Sequence, residues 1–323
     1  MDNLRSAHIN ARKGKAFYSE VKMVNKDPER YLLQIHDMLE SKTYETSKYD
    51  IFTKFDGKKE REIYRLPYYP DRIIHWAIMQ VLGSMWERSF IYDTYSSIRG
   101  RGVHFGLMRL HRALDQDAEN TMYCLKFDIK KFYPSIDHTV LKQIIRKKIK
   151  DKDVLWLLDE IINSVGNGCG LPIGNYLSQY LSNLYLTYFD HWVKETLRMR
   201  HYFRYCDDCV ILHPDSHELH EILGQIEEYL FTKLHLTVKS NYQVFPTMTR
   251  GVDFLGYRSF GAYTLLRKSI ATRCKRKLNR LSLPLTTGDV SSVASYRGWM
   301  RWCDAYNLEQ QCVAPLMEGI CNR

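Results

Sequence analysis

The chain has 323 residues, enough for two domains or one large multi-lobed one, and carries 47 Lys and Arg against 37 Asp and Glu, a formal net charge of +10. That excess of cations favours a polyanionic partner, nucleic acid ahead of an anionic membrane surface. No apolar run reaches the length of a transmembrane helix and the N-terminus lacks a hydrophobic signal core, so the chain reads as cytoplasmic, with no membrane partner.

No repeat, low-complexity tract or Pro/Gly/Ser linker divides the chain. The first sixty residues are polar and basic, with weakly helical patches such as 28–38. The alternation and prolines of Arg61-Glu62-Ile63-Tyr64-Arg65-Leu66-Pro67-Tyr68-Tyr69-Pro70-Asp71-Arg72 predict an extended segment that ends at a helix start, with Asp71 as the cap. Ile74, Ile78, Val81, Leu82 and Met85 then recur at helical spacing. Residues 95–102, with Arg99-Gly100-Arg101-Gly102 at their end, form a basic glycine-bearing loop of the kind that lets backbone approach phosphate.

Residues 122–127 predict a buried strand, with Asp128 at its end as either a functional carboxylate or a capped turn. Residues 129–137 lead into a helix running to about 150, and a second helix covers 154–165. After a loop at 166–170, the stretch 171–179 opens a long helix with Leu177, Leu181, Leu184 and Tyr188 on one side. An amphipathic helix is expected over 216–234 and a short apolar strand at Phe254-Leu255-Gly256-Tyr257. The last sixty residues predict helices and carry an acid-free cationic run: Arg267, Lys268, Arg273, Lys275, Arg276, Lys277 and Arg280.

The stretch Phe203-Arg204-Tyr205-Cys206-Asp207-Asp208-Cys209-Val210-Ile211-Leu212 organises the rest. Its aromatic and apolar flanks favour strands, so the polar centre reads as a hairpin tip. Two adjacent carboxylates there repel each other, and a divalent cation such as Mg²⁺ relieves that. A bare Asp-Asp pair is equally the composition of a solvated turn; what separates the readings is Asp128 upstream. Strand–Asp128–helix followed by strand–turn–strand is the arrangement that clamps two metals about 4 Å apart for in-line nucleotidyl transfer. Asp128 and Asp207 are then the first ligands, Asp208 a further ligand or a group behind them, and the Ile129 carbonyl an additional donor. Cys206 and Cys209 have zinc-like spacing, but no matching Cys/His pair follows, and the eight cysteines read as reduced thiols, most of them buried.

Tyr205-Cys206-Asp207-Asp208 resembles the Tyr-x-Asp-Asp motif of reverse transcriptases, and Phe127-Asp128-Ile129-Lys130-Lys131-Phe132-Tyr133-Pro134-Ser135-Ile136 is similar to their preceding aspartate motif. Further likenesses follow in order from about Arg61 to Tyr257: 67–72 with the helix after it to the fingers, 171–179 to the nucleotide-pocket motif, 236–239 to a lysine motif and 254–257 to the primer grip. The resemblance implies an α+β right-hand polymerase with fingers at 1–112, a palm with an antiparallel sheet at 113–137 and 181–262, and a helical thumb at 263–323. Residues 138–180 return to fingers and palm helices. It implies an RNA-directed DNA polymerase using two Mg²⁺ ions (Mn²⁺ able to replace them), dNTPs, an RNA template and a DNA primer or cDNA duplex.

Roles carry over from the resemblance by position. Tyr133 matches the bulky gate against a 2′-hydroxyl, where the residue alone reads as a core aromatic. Arg61, Arg65 and Arg72 match triphosphate-holding cations, each by itself an ordinary solvated arginine. Ile173, Gly174 and Gln179 fall in the nucleotide pocket, and Lys239, otherwise a surface lysine, matches a residue that assists the leaving pyrophosphate. The run Arg267, Lys268, Arg273, Lys275, Arg276 and Lys277 would lie along the template–primer duplex. Where most reverse transcriptases have Gln-Gly-x-x-x-Ser-Pro, this chain has Ile173-Gly174-Asn175-Tyr176-Leu177-Ser178-Gln179. That resembles the enzymes of diversity-generating retroelements, relatives of group II intron and retron reverse transcriptases, as does Leu265-Leu266-Arg267-Lys268-Ser269. The subgroup implies error-prone copying of a template-repeat RNA, with a small basic oligomeric accessory protein and a structured RNA as partners. A phage-defence reverse transcriptase copying its own noncoding RNA and a group II intron-like enzyme are the alternatives.

Overall fold

The computed structural model describes residues 1–56, 59–166 and 168–321. Two compact units result, each built from three segments of chain: Met1–Tyr92, Ile129–Thr196 and Ile226–Val238 form the first, and Asp93–Asp128, Leu197–Gln225 and Lys239–Arg323 the second, of which 322 and 323 lie outside the described residues.

The first unit is mainly helical. Helices begin where the sequence supplies caps: Asp27 accepts from the Arg30 amide ahead of Pro28–Glu40, Asp137 from that of Val140 ahead of His138–Lys148, and Asp151 from that of Val154 ahead of Lys152–Asn163. The helix Ile73–Glu87 buries Ile74, Ile78 and Leu82 of the periodic set seen in the sequence, together with Ile73, Ala77 and Trp86, while Val81 is exposed and Met85 half-buried. Asp71 does not cap it. A π-helical turn, Tyr68–Arg72, feeds directly into this helix and leaves no free N-terminus at Asp71. The carboxylate is instead fully buried, accepting from the Tyr44 hydroxyl at 2.7 Å and the Ser47 amide at 3.0 Å.

Strands β1 (Asp50–Asp56) and β2 (Lys59–Arg65) pair antiparallel with Asp50 opposite Arg65. The sequence shows β2 as extended but hides β1, because Ile51, Phe52 and Phe55 are exposed and no buried face imposes a two-residue period. The helix after the pocket motif begins at Tyr176 and not at 171, and residue 167 of the preceding loop lies outside the described residues.

The second unit holds the main sheet. Strands β3 (Tyr123–Asp128), β4 (His201–Tyr205), β5 (Asp208–His213) and β6 (Gln243–Pro246) lie in the order β4-β5-β3-β6, every pair antiparallel. Cys124, Phe203, Val210, Leu212 and Phe245 share a core with Leu110 and Leu114 from the helix Val103–Gln116. Strands β7 (Val252–Phe254), β8 (Tyr257–Ser259) and β9 (Thr264–Leu266) form a second sheet. The single strand expected at 254–257 is therefore a hairpin. Leu255 and Gly256 adopt φ of +55° and +89° and turn the chain between β7 and β8; being buried, Leu255 mimics a strand residue in the sequence. Four helices from Lys268–Leu278 to Ala314–Cys321 follow, as expected for the last sixty residues.

Among the described residues no helix is long and apolar enough to cross a membrane. Cys124, Cys169, Cys206, Cys209, Cys274, Cys303 and Cys312 form no disulfide, and Cys124, Cys209, Cys274 and Cys312 are buried.

Candidate active site

Sheet order explains how residues far apart in sequence meet. Asp128 ends β3 and stands opposite Asp208, the first residue of β5, while Tyr205 pairs with Asp208 from the other side. A two-residue turn, Cys206 and Asp207, therefore places Asp207 at the hairpin tip next to the end of β3. Lys239 is brought alongside by backbone pairing, its amide donating to the Asp128 carbonyl at 2.9 Å. Its ammonium lies 3.5 Å from Asp128 Oδ1 and 3.8 Å from Asp207 Oδ2.

One positive charge thus bridges two carboxylates. No cluster of three or more His, Cys, Asp or Glu suited to a metal occurs among the described residues; the protein offers a carboxylate pair. Such a pair fits Mg²⁺, which is commonly held by one or two carboxylates with substrate phosphates and water completing the shell. The ammonium between the carboxylates stands where a cation is wanted. The antiparallel bridge between Ile129 and Val238 uses the Asp128 carbonyl and the Lys130 amide, and does not spend the Ile129 carbonyl.

Asp208 is differently placed. Its Oδ2 lies 3.4 Å from the Lys126 ammonium, and its Oδ1 is buried without a hydrogen-bond partner. Burial pushes its carboxyl up to about 6, with the Asp128 charge adding and Lys126 opposing. Lys126 also donates to the Asp253 carbonyl, and the Asp253 carboxylate accepts from Arg267 Nε at 2.6 Å. Asp208 thus faces Lys126, whereas Asp128 and Asp207 face Lys239. Lys126 escaped the sequence reading, although strand alternation puts residues 126 and 128 on one face.

Within the first unit, Ile173 and Gly174 sit against β2. The Tyr64 amide donates to the Ile173 carbonyl at 2.8 Å, and Gly174 holds φ +119° where a Cβ would meet the Tyr64 carbonyl oxygen at 3.1 Å. Arg72, Arg65, Lys15, Lys48, Tyr64, His75 and Gly174 line a cavity of about 670 Å³. Arg72 Nε is buried without a hydrogen-bond partner, a donor that an anion entering the cavity would satisfy, and burial lowers the guanidinium pKa. Arg65 is paired with Asp50, and Arg61 is an exposed β2 residue opposite Lys54. Burial likewise takes His75 down to about 4. Tyr133, in the short helix Phe132–Ser135, is half-buried with its hydroxyl 3.2 Å from Ser182 Oγ, and Gln179 is exposed.

In the helix Lys268–Leu278, Cys274 and Leu278 face a core with Val293 and Met300, which leaves Lys268, Arg273, Lys275, Arg276 and Lys277 exposed. Arg267 stands apart from that face, bonded to Asp253.

An antiparallel sheet that presents carboxylates from a strand end and a neighbouring hairpin tip is the architecture of right-hand polymerases. The chain is similar to apo telomerase from Candida tropicalis with a TM-score of 0.55 and 13% identity, over 85% of this chain and 57% of that one. Telomerase from Candida albicans, in complex with a TWJ fragment of telomeric RNA, gives 0.53 and 12%, over 84% and 55%. At such identities the likeness is one of fold. Residues 52–259, more than half of the chain, match the model of the reverse transcriptase (RNA-dependent DNA polymerase) family, and the chain belongs to that family. It is 27% identical over 185 residues to the group II intron-encoded protein LtrA of Lactococcus lactis subsp. cremoris, covering 55% of this chain and 29% of that protein. With protein YkfC of Escherichia coli (strain K12) it shares 25% over 139 residues, 40% of this chain and 36% of that one. The chain spans roughly a third of the length of these relatives.

Proposed function

We propose that this chain is an RNA-directed DNA polymerase that makes error-prone cDNA from a template-repeat RNA, for mutagenic homing in a diversity-generating retroelement. The observation that carries the polymerase reading is the Asp128–Asp207 pair bridged by Lys239. We assign fingers to 1–112, palm to 113–137 and 181–262, helices returning to fingers and palm to 138–180, and thumb to 263–323.

Asp128 and Asp207 would hold two Mg²⁺ ions, with the Ile129 carbonyl as an added donor and Asp208 behind them. Bound there, the ions supply charge stabilisation to the attacking 3′-hydroxyl and the leaving pyrophosphate. Lys239 gives up its place between the carboxylates and puts a proton-bearing cation at the pyrophosphate. Arg72, with Arg61 and Arg65, holds the triphosphate, and Tyr133 excludes ribonucleotides. The exposed cations of the helix Lys268–Leu278 lie along the template–primer duplex, contacts that set affinity without reading sequence. Specific copying then needs the small basic accessory protein and the structured RNA, in the cytoplasm. Extension of a primed RNA by the purified chain with dNTPs, with cDNA errors concentrated at template adenines once those partners are present, is the expected result. Failure to extend any primed RNA would overturn the polymerase reading, and accurate cDNA the retroelement one. The similarity to LtrA favours a second reading, a group II intron-like reverse transcriptase, and accurate cDNA is its outcome.

Ile173 offers the sharper test. Its side chain has no donor or acceptor where a glutamine could hydrogen-bond the incoming nucleotide. Loss of one such bond, about 1–1.5 kcal/mol, relaxes selection roughly tenfold. Ile173→Gln is expected to lower misincorporation opposite adenine by about that factor while extension persists. An unchanged error spectrum in an active variant would move the source of infidelity elsewhere.

A further inference from the structure

We propose that Arg204 is a positioning residue for the catalytic turn: its guanidinium, by holding the Cys206 carbonyl, fixes the backbone that presents Asp207 beside Asp128. Arg204 is wholly buried, at 0% exposure, in a strand whose other central residues are apolar. A guanidinium carries five N–H donors and stays charged, so it is buried only where acceptors meet it. One of them is the Cys206 carbonyl, 3.0 Å from Arg204 Nη1.

That carbonyl belongs to a backbone that local chemistry disfavours. Cys206 has φ +57°, the left-handed region that a residue with a Cβ seldom enters. Such a conformation persists when its surroundings over-determine it. Peptide planarity then transmits the grip: once the Cys206 oxygen is held, the plane that carries the Asp207 nitrogen and Cα is held too. Asp207 heads this turn, so a rotation of that plane would swing its carboxylate away from Asp128 and Lys239.

The clamp has a rigid base. On one side Arg204 pairs with Cys209 of β5. On the other, its amide donates to the Asp93 carbonyl at 3.0 Å and its carbonyl accepts from the Tyr95 amide at 3.1 Å. The Asp93 carboxylate, only 4% exposed, accepts from Arg109 Nε at 2.9 Å and from the Tyr95 hydroxyl at 2.7 Å. The catalytic turn is thus braced through Arg204 against a buried ionic platform. An ammonium would serve less well, because the planar guanidinium aims its donors at fixed angles.

The inference rests on the polymerase reading only for its activity assay, so a second readout is Mn²⁺ binding followed by electron paramagnetic resonance. Arg204→Lys is expected to lower kcat for primer extension and to weaken Mn²⁺ binding about tenfold or more, the worth of one charge-assisted hydrogen bond, with KM for primer–template unchanged. Cys206→Gly placed in the Arg204→Lys protein should return much of both losses, because glycine takes a positive φ without strain. A residue that merely fills the core would not be rescued from that position. No rescue in the double variant would overturn the proposal, as would Arg204→Lys with unaltered kcat and Mn²⁺ affinity. Arg204→Lys and Arg204→Gln both failing to fold would also overturn it, by making Arg204 a stabiliser of the core. A parent chain that binds Mn²⁺ but extends no primer would count against the polymerase reading alone, and the Mn²⁺ comparison would still decide the role of Arg204.

Discussion

Asp128→Asn and Asp207→Asn should each abolish primer extension, with a loss of about a thousandfold or more, the consequence of removing several kcal/mol of metal-borne charge stabilisation. An amide keeps the shape of the side chain and loses its charge. The geometry adds a reason for the completeness of the loss. Lys239 lies 3.5 Å from Asp128 and 3.8 Å from Asp207, so one remaining carboxylate is already matched by one ammonium, and little is left to draw a divalent cation into the site. Both residues are partly exposed at strand and turn ends, so thermal unfolding should change little. Steady-state extension with Mg²⁺ titrated to saturation is the measurement. Substantial extension by Asp207→Asn protein at saturating Mg²⁺ would sink the assignment of the pair.

Tyr133→Ala should admit ribonucleotides, lowering dNTP-over-rNTP discrimination about tenfold to a hundredfold, the scale of relieving one steric overlap of about 1–3 kcal/mol. Tyr133 is suited to such a role by its support: its ring stands edge-on to Phe132 with centroids 5.7 Å apart, and its hydroxyl is 3.2 Å from Ser182 Oγ. A ring held on two sides is a firm wall against a sugar. Competition between dNTP and rNTP on one primed RNA reads the effect. Unchanged discrimination in an active Tyr133→Ala protein would show that another side chain forms the gate.

How much was legible follows the range of the interactions involved. Apolar flanks around Asp207 and Asp208 show a hairpin because alternation and β-propensity act over a few residues. Helices are visible for the same reason, but the cap expected at Asp71 does not form. The local pattern there is that of a cap, but Tyr44 and Ser47, more than twenty residues away, claim the carboxylate. The β1–β2 hairpin stayed half hidden because its apolar side chains face solvent. Arg204 had a signal, a charged residue inside an apolar strand, but the sequence does not say which carbonyl it holds.

By itself, then, the sequence determined the order of the polymerase motifs and the positions of the candidate aspartates, which rest on short-range pattern and residue chemistry, and the α+β polymerase class followed from the family those motifs resemble. Only the tertiary structure decided what each charge faces. Lys126 meets Asp208 across 82 residues, Lys239 settles between Asp128 and Asp207, and Arg204 turns back onto Cys206. The reason is physical: strand register and sheet order bring distant side chains within reach, and neither is written in the spacing of any one segment.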